Sequence, residues 1–270
     1  MSTSVADKAL RFQALHRGPA AFVMPNPWDA GSARLLAGLG FEALATSSGA
    51  AASAPGKRDG ELSRDEVSAH VRAIAAATTL PVSADLENGF GDAPEAVAQT
   101  IRLAAEAGVV GGSIEDASGD AAQPIYDFGH AVERMAAAAE AARTLPFAFT
   151  LTGRAENFLR GRRDLDDTIR RLQAYEKAGA DVLFAPGLPD LDAVRTVCAA
   201  LTKPLNFMVG IPGRSFSVAE LQAVGVRRIS LATSLYRTAM SALVEAAREV
   251  REQGTFGHVE RGISSTELRK

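Results

Sequence analysis

The feature that most limits what this chain can become is a unit that recurs eight times: a short β-rich run, a loop, then an alanine-rich stretch with helical spacing. The β-rich runs cover 21–26, 43–48, 81–87, 111–116, 147–154, 181–187, 204–210 and 227–233. Each is close to a continuous apolar run, as strands covered on both faces must be. Ser63, Asp164, Asp190 and Ser217 stand where helix N-caps are expected, and Gly40, Gly108, Gly179 and Gly225 where helices should stop. Eight such units within 270 residues predict an α/β fold of the (β/α)8 barrel kind. The rival, an open doubly wound sheet, normally has fewer strands and a Gly-rich phosphate turn after the first. This chain has Asn-Pro-Trp-Asp-Ala-Gly-Ser there. A single domain over 1–270 is expected, with 255–270 as a polar C-terminal extension.

Charge and cysteine usage exclude several functions. The formal net charge is −3, which recommends neither nucleic acid nor an anionic membrane as partner. The one cysteine, Cys198, cannot build a disulfide framework or a multi-cysteine zinc site. The opening stretch mixes charged and apolar residues and lacks the apolar core of a secretory signal. No run is long and apolar enough to span a bilayer. A cytoplasmic location is the expectation.

In barrels of this kind the catalytic groups lie at the C-terminal ends of strands. Those ends offer Asn26, Trp28 and Asp29 from the first strand, and Ser47, Ser48 and Gly49 from the second, with Lys57, Arg58 and Asp59 in the loop beyond. The third gives Asp85 and Glu87, the fourth Glu115 and Asp116, the fifth Arg154 and Glu156, and the seventh Asn206 and Met208. Side chains two apart on a strand point the same way. Asp85 and Glu87 are therefore expected on one face, with Glu115 and Arg154 in phase on the next two strands. Carboxylates gathered at one point repel each other and resist burial. A hard divalent cation relieves this, and Mg²⁺ suits one or two direct carboxylates plus several waters. Alone, Asp-Leu-Glu-Asn-Gly at 85–89 fits a solvated turn as well as a metal site, and Asp92 looks like the cap of the next helix. Glu115 and Arg154 in phase favour a site for Mg²⁺, with Mn²⁺ as the alternative, held by Asp85, Glu87 and Glu115.

Other chemistries find less support. Lys203 precedes the seventh strand and so lies at the end of the barrel opposite the site. The seventh strand ends without an acid, which leaves a two-carboxylate glycosidase without its second group. Cys198 falls on an apolar helix face, where packing is the better reading. His16, His70, His130 and His258 fall in helices or the tail. Trp28 either lines the pocket or fills space beside it.

Seven stretches taken in order carry a family resemblance: NPWDAGSARLL, ATSSGAAAS with KRDGE, SADLENGFGD, GGSIEDA, TGRAENFLRG, AYEKAGADVLFAPG and GVRRISLATSLYRTA. Over nearly its whole length the chain resembles the isocitrate lyase / phosphoenolpyruvate mutase superfamily. The resemblance implies a (β/α)8 barrel whose last helix is exchanged between subunits of a homotetramer. It also implies Mg²⁺ together with a small 2-oxo acid or dicarboxylate. It makes Asp85 the nearest metal ligand, with Glu87 and Glu115 on metal-bound waters and Asp59 close by. Backbone groups of Ser48 and Gly49, with the Ser47 side chain nearby, are implied to take the substrate carboxylate, and Arg154 to face the enolate oxygen. Trp28 and Asn206 complete the expected pocket.

The departures narrow the expected reaction. The Lys-Lys/Arg-Cys-Gly-His motif of the superfamily's lyases is missing, which argues against an isocitrate or methylisocitrate lyase. The loop after the fourth strand, Ala-Ser-Gly-Asp-Ala-Ala-Gln-Pro-Ile-Tyr-Asp, is short and lacks the Lys and Asn of the phosphonate-handling members. Glu87 replaces the usual second Asp of the metal motif, and Gly153-Arg154-Ala155 replaces Ala-Arg-Thr. The expected activity is a Mg²⁺-dependent lyase or decarboxylase working through a pyruvate-type enolate, with oxaloacetate as the model substrate. Arg154, Glu115, Asp59 and Tyr126 are the catalytic candidates, and the loop carrying Tyr126 and Asp127 is a candidate lid. The alternatives are a carbon–carbon lyase on a 2-substituted malate, phosphonopyruvate chemistry, and a non-catalytic 2-oxo acid-binding protein.

Overall fold

The computed structural model describes residues 3–269; Met1, Ser2 and Lys270, the last residue of the expected extension, lie outside the described residues. The eight expected strands are all present: β1 (Phe22–Met24), β2 (Leu44–Ala45), β3 (Val82–Asp85), β4 (Gly111–Glu115), β5 (Thr150–Arg154), β6 (Val182–Phe184), β7 (Leu205–Met208) and β8 (Arg228–Ser230). They form one parallel sheet in the order β1-β8-β7-β6-β5-β4-β3-β2. The free edges meet where Ala45 N donates to Pro25 O at 3.0 Å, so the sheet is a nearly closed (β/α)8 barrel.

Among the described residues ten α-helices surround it: α1 (Val5–Arg17), α2 (Ala30–Gly38), α3 (Ser48–Ser53), α4 (Arg64–Ala76), α5 (Pro94–Glu106), α6 (Phe128–Arg143), α7 (Leu165–Ala178), α8 (Leu191–Ala200), α9 (Val218–Ala223) and α10 (Ser234–Arg248). Ser63, Asp164, Asp190 and Ser217 cap α4, α7, α8 and α9, each accepting from the backbone three residues on. Asp92 does not cap α5. Ala93 holds that position ahead of Pro94, and the Asp92 carboxylate accepts the Tyr126 hydroxyl at 2.6 Å instead.

Alternation along the strands sorts the barrel into two environments. Leu44, Val82, Ile114, Leu151, Leu183, Leu205 and Ile229 face the helices and join the main apolar core. Ala45, Ser83, Ser113 and Asn206 face inward. Barrel interiors are normally filled by bulky branched side chains. Here small and polar ones leave a cavity of about 250 Å³.

The opening stretch has a structural role that its sequence did not announce. Capped by Ser4, α1 inserts Phe12, fully buried, among Phe22, Met24, Ala45 and Val110, and so closes the N-terminal end of the barrel. At the other terminus α10 has no buried residue and leaves Leu243 and Val244 exposed. The segment beyond folds back on Glu249, whose carboxylate accepts from Thr255 Oγ1, Gly257 N and His258 N. Among the described residues no helix is long and apolar enough to cross a membrane.

Gly111 is a tight point of this packing. A Cβ there would lie 2.8 Å from the Thr150 carbonyl oxygen and 2.9 Å from Phe12 Cε1. Gly111→Ala is expected to cost about 1–3 kcal/mol by overpacking. Gly129→Ala, which meets nothing within 4 Å, should lose no stability. Thermal melts of the two variants check the difference.

Candidate active site

At the C-terminal end of the barrel, β3, β4 and β5 bring Asp85, Glu115 and Arg154 together. Arg154 is gripped from three sides. Its Nε donates to Glu156 Oε1 at 2.6 Å, and its Nη1 lies 3.2 Å from Glu115 Oε2 and 3.7 Å from Asp85 Oδ1. The guanidinium also stacks over the Phe184 ring, 5.0 Å from its centroid. Arg160 closes the arrangement, with Nε 3.1 Å from Glu156 Oε2 and Nη2 3.3 Å from Glu115 Oε1. Two carboxylates and two guanidiniums thus form a ring in which each acid bridges both bases. Burial pulls the Arg154 pKa down, but Glu115, Glu156 and Asp85 outweigh it and hold the guanidinium above its usual value.

The acids outnumber their partners. Asp59 and Glu87 join Asp85, Glu115 and Glu156 around two guanidiniums. Burial, then Asp85 and Asp59, push the Glu87 carboxyl up to about 7. Burial pushes Glu115 up as well, with the Arg154 charge opposing it. Burial is the larger cause of both shifts and the neighbouring carboxylates add to it, so a further positive charge would relieve both. Among the described residues no three His, Cys, Asp or Glu side chains are grouped tightly enough to wrap one ion directly. The oxygen-only donors and the charge deficit fit a hard cation that keeps most of its waters, which Mg²⁺ does.

Glu87 reaches the site by a route that strand alternation does not describe. β3 ends at Asp85, and Glu87 lies beyond it in the left-handed region at φ 49°. A non-glycine residue held there is strained, by about 1–3 kcal/mol. Its carbonyl oxygen accepts Glu115 N at 2.9 Å, which ties the turn to β4. Asp85 is fixed by Ser48 N, which donates to its Oδ2 at 3.1 Å. The Ser48 amide, expected to hold a substrate carboxylate, is therefore held by a protein carboxylate in this structure. Ser47 caps α3 and faces the cavity. Gly49 is obligatory, since a Cβ would meet Thr233 Cγ2 at 3.0 Å and Asp59 Oδ2 at 3.4 Å.

Ser47, Ser48, Gly49, Asp59, Asp85, Arg154 and Asn206 all line the 250 Å³ cavity. A pocket of about 590 Å³ adjoins it, shares Ser48, Asp59 and Arg154, and adds Glu87, Glu115 and Arg160. Two expected residues line neither. Trp28 packs edge-on against Tyr236 at 5.5 Å, and its carbonyl oxygen contacts His70 Nε2 at 3.0 Å. Tyr126 is nearly buried under the Arg134 guanidinium, 4.3 Å from its ring. Burial and the Asp92 carboxylate raise its phenol to about 12. The loop before it is a tight antiparallel turn, with Ala117 bridging Ile125 and Tyr126 N donating to Asp116 O at 2.8 Å. Cys198 is partly buried on α8, and burial raises its thiol to about 11.

A buried network beneath the site holds the β5 loop that carries Glu156 and Arg160. Asp116 Oδ1 accepts Glu156 N at 2.7 Å, and its Oδ2 accepts Tyr175 Oη at 2.6 Å and Arg171 Nη1 at 3.0 Å. Asp167 takes Arg171 Nε and Asn157 Nδ2, each at 2.9 Å. Gly153 makes room for it, since a Cβ there would stand 2.9 Å from Tyr175 Cβ. The Gly-Arg-Ala departure thus belongs to the packing side of β5, where Ala155 joins the apolar core. Glu156 is among the expected strand-end groups, but its hold on Arg154 was not expected, and Arg160 was missed. Their i, i+4 spacing just after a strand that delivers a buried arginine was the available signal.

The barrel, its polar interior and the acid–guanidinium cluster at the strand ends have the architecture of a small-molecule enzyme. The chain belongs to the phosphoenolpyruvate phosphomutase family, whose model matches residues 12–251, within the isocitrate lyase / phosphoenolpyruvate mutase superfamily. A structure from Burkholderia cenocepacia J2315, provisionally described as a lyase/mutase, is 55% identical, with 98% of this chain and 95% of that chain covered and a TM-score of 0.96. Oxaloacetate decarboxylase 2 of Pseudomonas fluorescens Pf0-1 is 32% identical over 256 residues, 91% of this chain and 84% of that protein. A structure of oxaloacetate acetylhydrolase in complex with the product oxalate is 27% identical, covers 99% of this chain and 93% of that chain, and has a TM-score of 0.89.

Asp116→Ala would leave Arg171 and Tyr175 with a missing partner in a buried place. It is expected to cost about 3–5 kcal/mol, as loss of one member of a buried ion pair does. Urea denaturation of the variant against wild type checks it.

Proposed function

We propose that this protein is a Mg²⁺-dependent lyase that breaks a carbon–carbon bond in a small 2-oxo or 2-hydroxy dicarboxylic acid through a pyruvate-type enolate. The observation that carries the reading is the buried Arg154 guanidinium, fixed between Asp85, Glu115 and Glu156 at the edge of a cavity rich in hydrogen-bonding groups. The likeness to an oxaloacetate decarboxylase supports oxaloacetate as the first substrate to test.

Asp85 would hold the metal directly, and Glu87 and Glu115 would hold it through water, with Asp59 beside them. A bound Mg²⁺ supplies Lewis-acid polarisation of the 2-oxo oxygen. Gly49 lets the substrate carboxylate approach the backbone at the start of α3, with Ser47 beside it. In oxaloacetate the C3–C4 bond breaks, C4 leaves as CO₂, and the electron pair moves onto the C2 oxygen as C2–C3 becomes double. Arg154 stabilises the charge that grows on that oxygen. Glu156 and Arg160 keep Arg154 from turning, so no reorganisation is needed as the charge develops. Water then protonates C3 to give pyruvate. No cysteine is required for this sequence, which suits a chain whose Cys198 thiol is turned into a helix packing face.

A 2-substituted malate is the second reading. It is favoured by the continuation of the cavity below the site, as far as Arg228 on β8. The exposed apolar residues of α10 are assigned to contact with a second copy of the chain, as the helix exchange implied by the family resemblance requires.

Pyruvate release from oxaloacetate and from 2-substituted malates, assayed with Mg²⁺ and again with EDTA, tests the reading. EDTA should abolish turnover, and Arg154→Ala should lower kcat by about 10²–10³. Turnover indifferent to EDTA, or near-full activity in Arg154→Ala, would reject it.

A further inference from the structure

Arg228 is a charged group of the cavity wall that the proposed chemistry does not use. It points into the barrel from the start of β8 and is only 3% exposed. Its Nε donates to Asn206 Oδ1 at 2.9 Å. Its Nη1 is buried with no hydrogen-bond partner. The Asn206 side chain has one acceptor atom, Oδ1, and its Nδ2 donates to Ser230 Oγ at 3.1 Å. The other deeply buried arginines are treated differently. Arg134 donates to the carbonyl oxygens of Asn88, Gly91 and Asp92. Arg171 is paired with both Asp116 and Asp167. Among the described residues no carboxylate forms an ion pair with Arg228, and burial alone pulls its pKa down to about 9.

A buried guanidinium facing one neutral acceptor is costly, and such groups are found paired unless something else supplies the partner. The cavity that Arg228 lines is the one that Asp85, Arg154 and Gly49 line at its mouth. We propose that Arg228, with Asn206 and Ser230 beside it, anchors a second carboxylate of the substrate, so that the cavity selects dicarboxylic acids over monocarboxylic acids of equal length. This rests on the reading of the mouth as a 2-oxo acid site, and it names the part of the substrate that lies below it. A guanidinium stabilises the carboxylate it holds, so the anchor contributes to ground-state binding of the dicarboxylate.

Calorimetric titration in the presence of Mg²⁺ separates the two ends of the cavity. L-malate and 2-hydroxybutyrate have the same carbon count and differ in one carboxylate, while oxalate probes the mouth. Wild type should bind L-malate about 10–100-fold more tightly than 2-hydroxybutyrate, the worth of a hydrogen-bonded charge pair. Arg228→Met should lose that preference and keep its affinity for oxalate, and Arg228→Lys should retain part of it. The ligand-free melting temperature of Arg228→Met should hold or rise, because an unpaired charge leaves the interior; a purely structural arginine would make it fall. The inference is overturned if wild type binds oxalate but shows no preference for L-malate, a result that needs no folded variant, or if Arg228→Met keeps the preference. If wild type binds no oxalate, the reading of the mouth fails and the anchor falls with it.

Discussion

Arg154 carries a full positive charge into the wall of a barrel, and the architecture around the site follows from the need to hold it there. Three carboxylates and an aromatic face surround the guanidinium. Two of those carboxylates are shared with Arg160. The loop that brings Glu156 and Arg160 is in turn pinned by Asp116, Arg171 and Tyr175. The chain of dependence therefore runs from packing against α7, through a buried network, to the guanidinium proposed to meet a developing negative charge. Such preorganisation is where electrostatic catalysis draws its strength.

The same cluster explains why the site calls for a further cation. Two guanidiniums do not balance five carboxylates, and burial, with the neighbouring acids adding to it, makes Glu87 and Glu115 hold their protons more tightly than free glutamates. Glu87 is moreover held in a strained backbone conformation. Strain and unbalanced charge kept together at the mouth of a cavity are what a binding site retains at the expense of stability. Arg228 repeats the pattern with opposite sign at the other end of that cavity. Between them lies an interior lined by serine, asparagine and alanine, where a barrel without a buried ligand would carry valine, isoleucine and leucine.

Much of this could be read before any coordinates. The eight strands stand where apolar runs alternate with helical spacing, because a parallel sheet buried on both faces leaves that pattern no alternative. Ser63, Asp164, Asp190 and Ser217 announced helix starts through their own local hydrogen bonds. Asp85, Glu115 and Arg154 converge because they end neighbouring strands in the same phase. What the pattern could not carry was long-range. The capture of Asp92 by Tyr126, across 34 residues, removed a cap that local sequence suggested. Glu87 arrives by a left-handed turn rather than by strand alternation. Trp28 turns toward Tyr236 on α10, a neighbour that adjacency in sequence does not reveal. Arg228 was visible as a charge in a strand otherwise fit for burial, but its missing partner is a fact of three dimensions.

The most direct measurement is a crystal structure of the protein grown with Mg²⁺ and oxalate, a stable mimic of the enolate. The account predicts an ion beside Asp85, with Glu87 and Glu115 reaching it through water, and an oxalate oxygen on the Arg154 guanidinium. Oxalate bound away from Arg154, or a metal held anywhere but at these three acids, would contradict it.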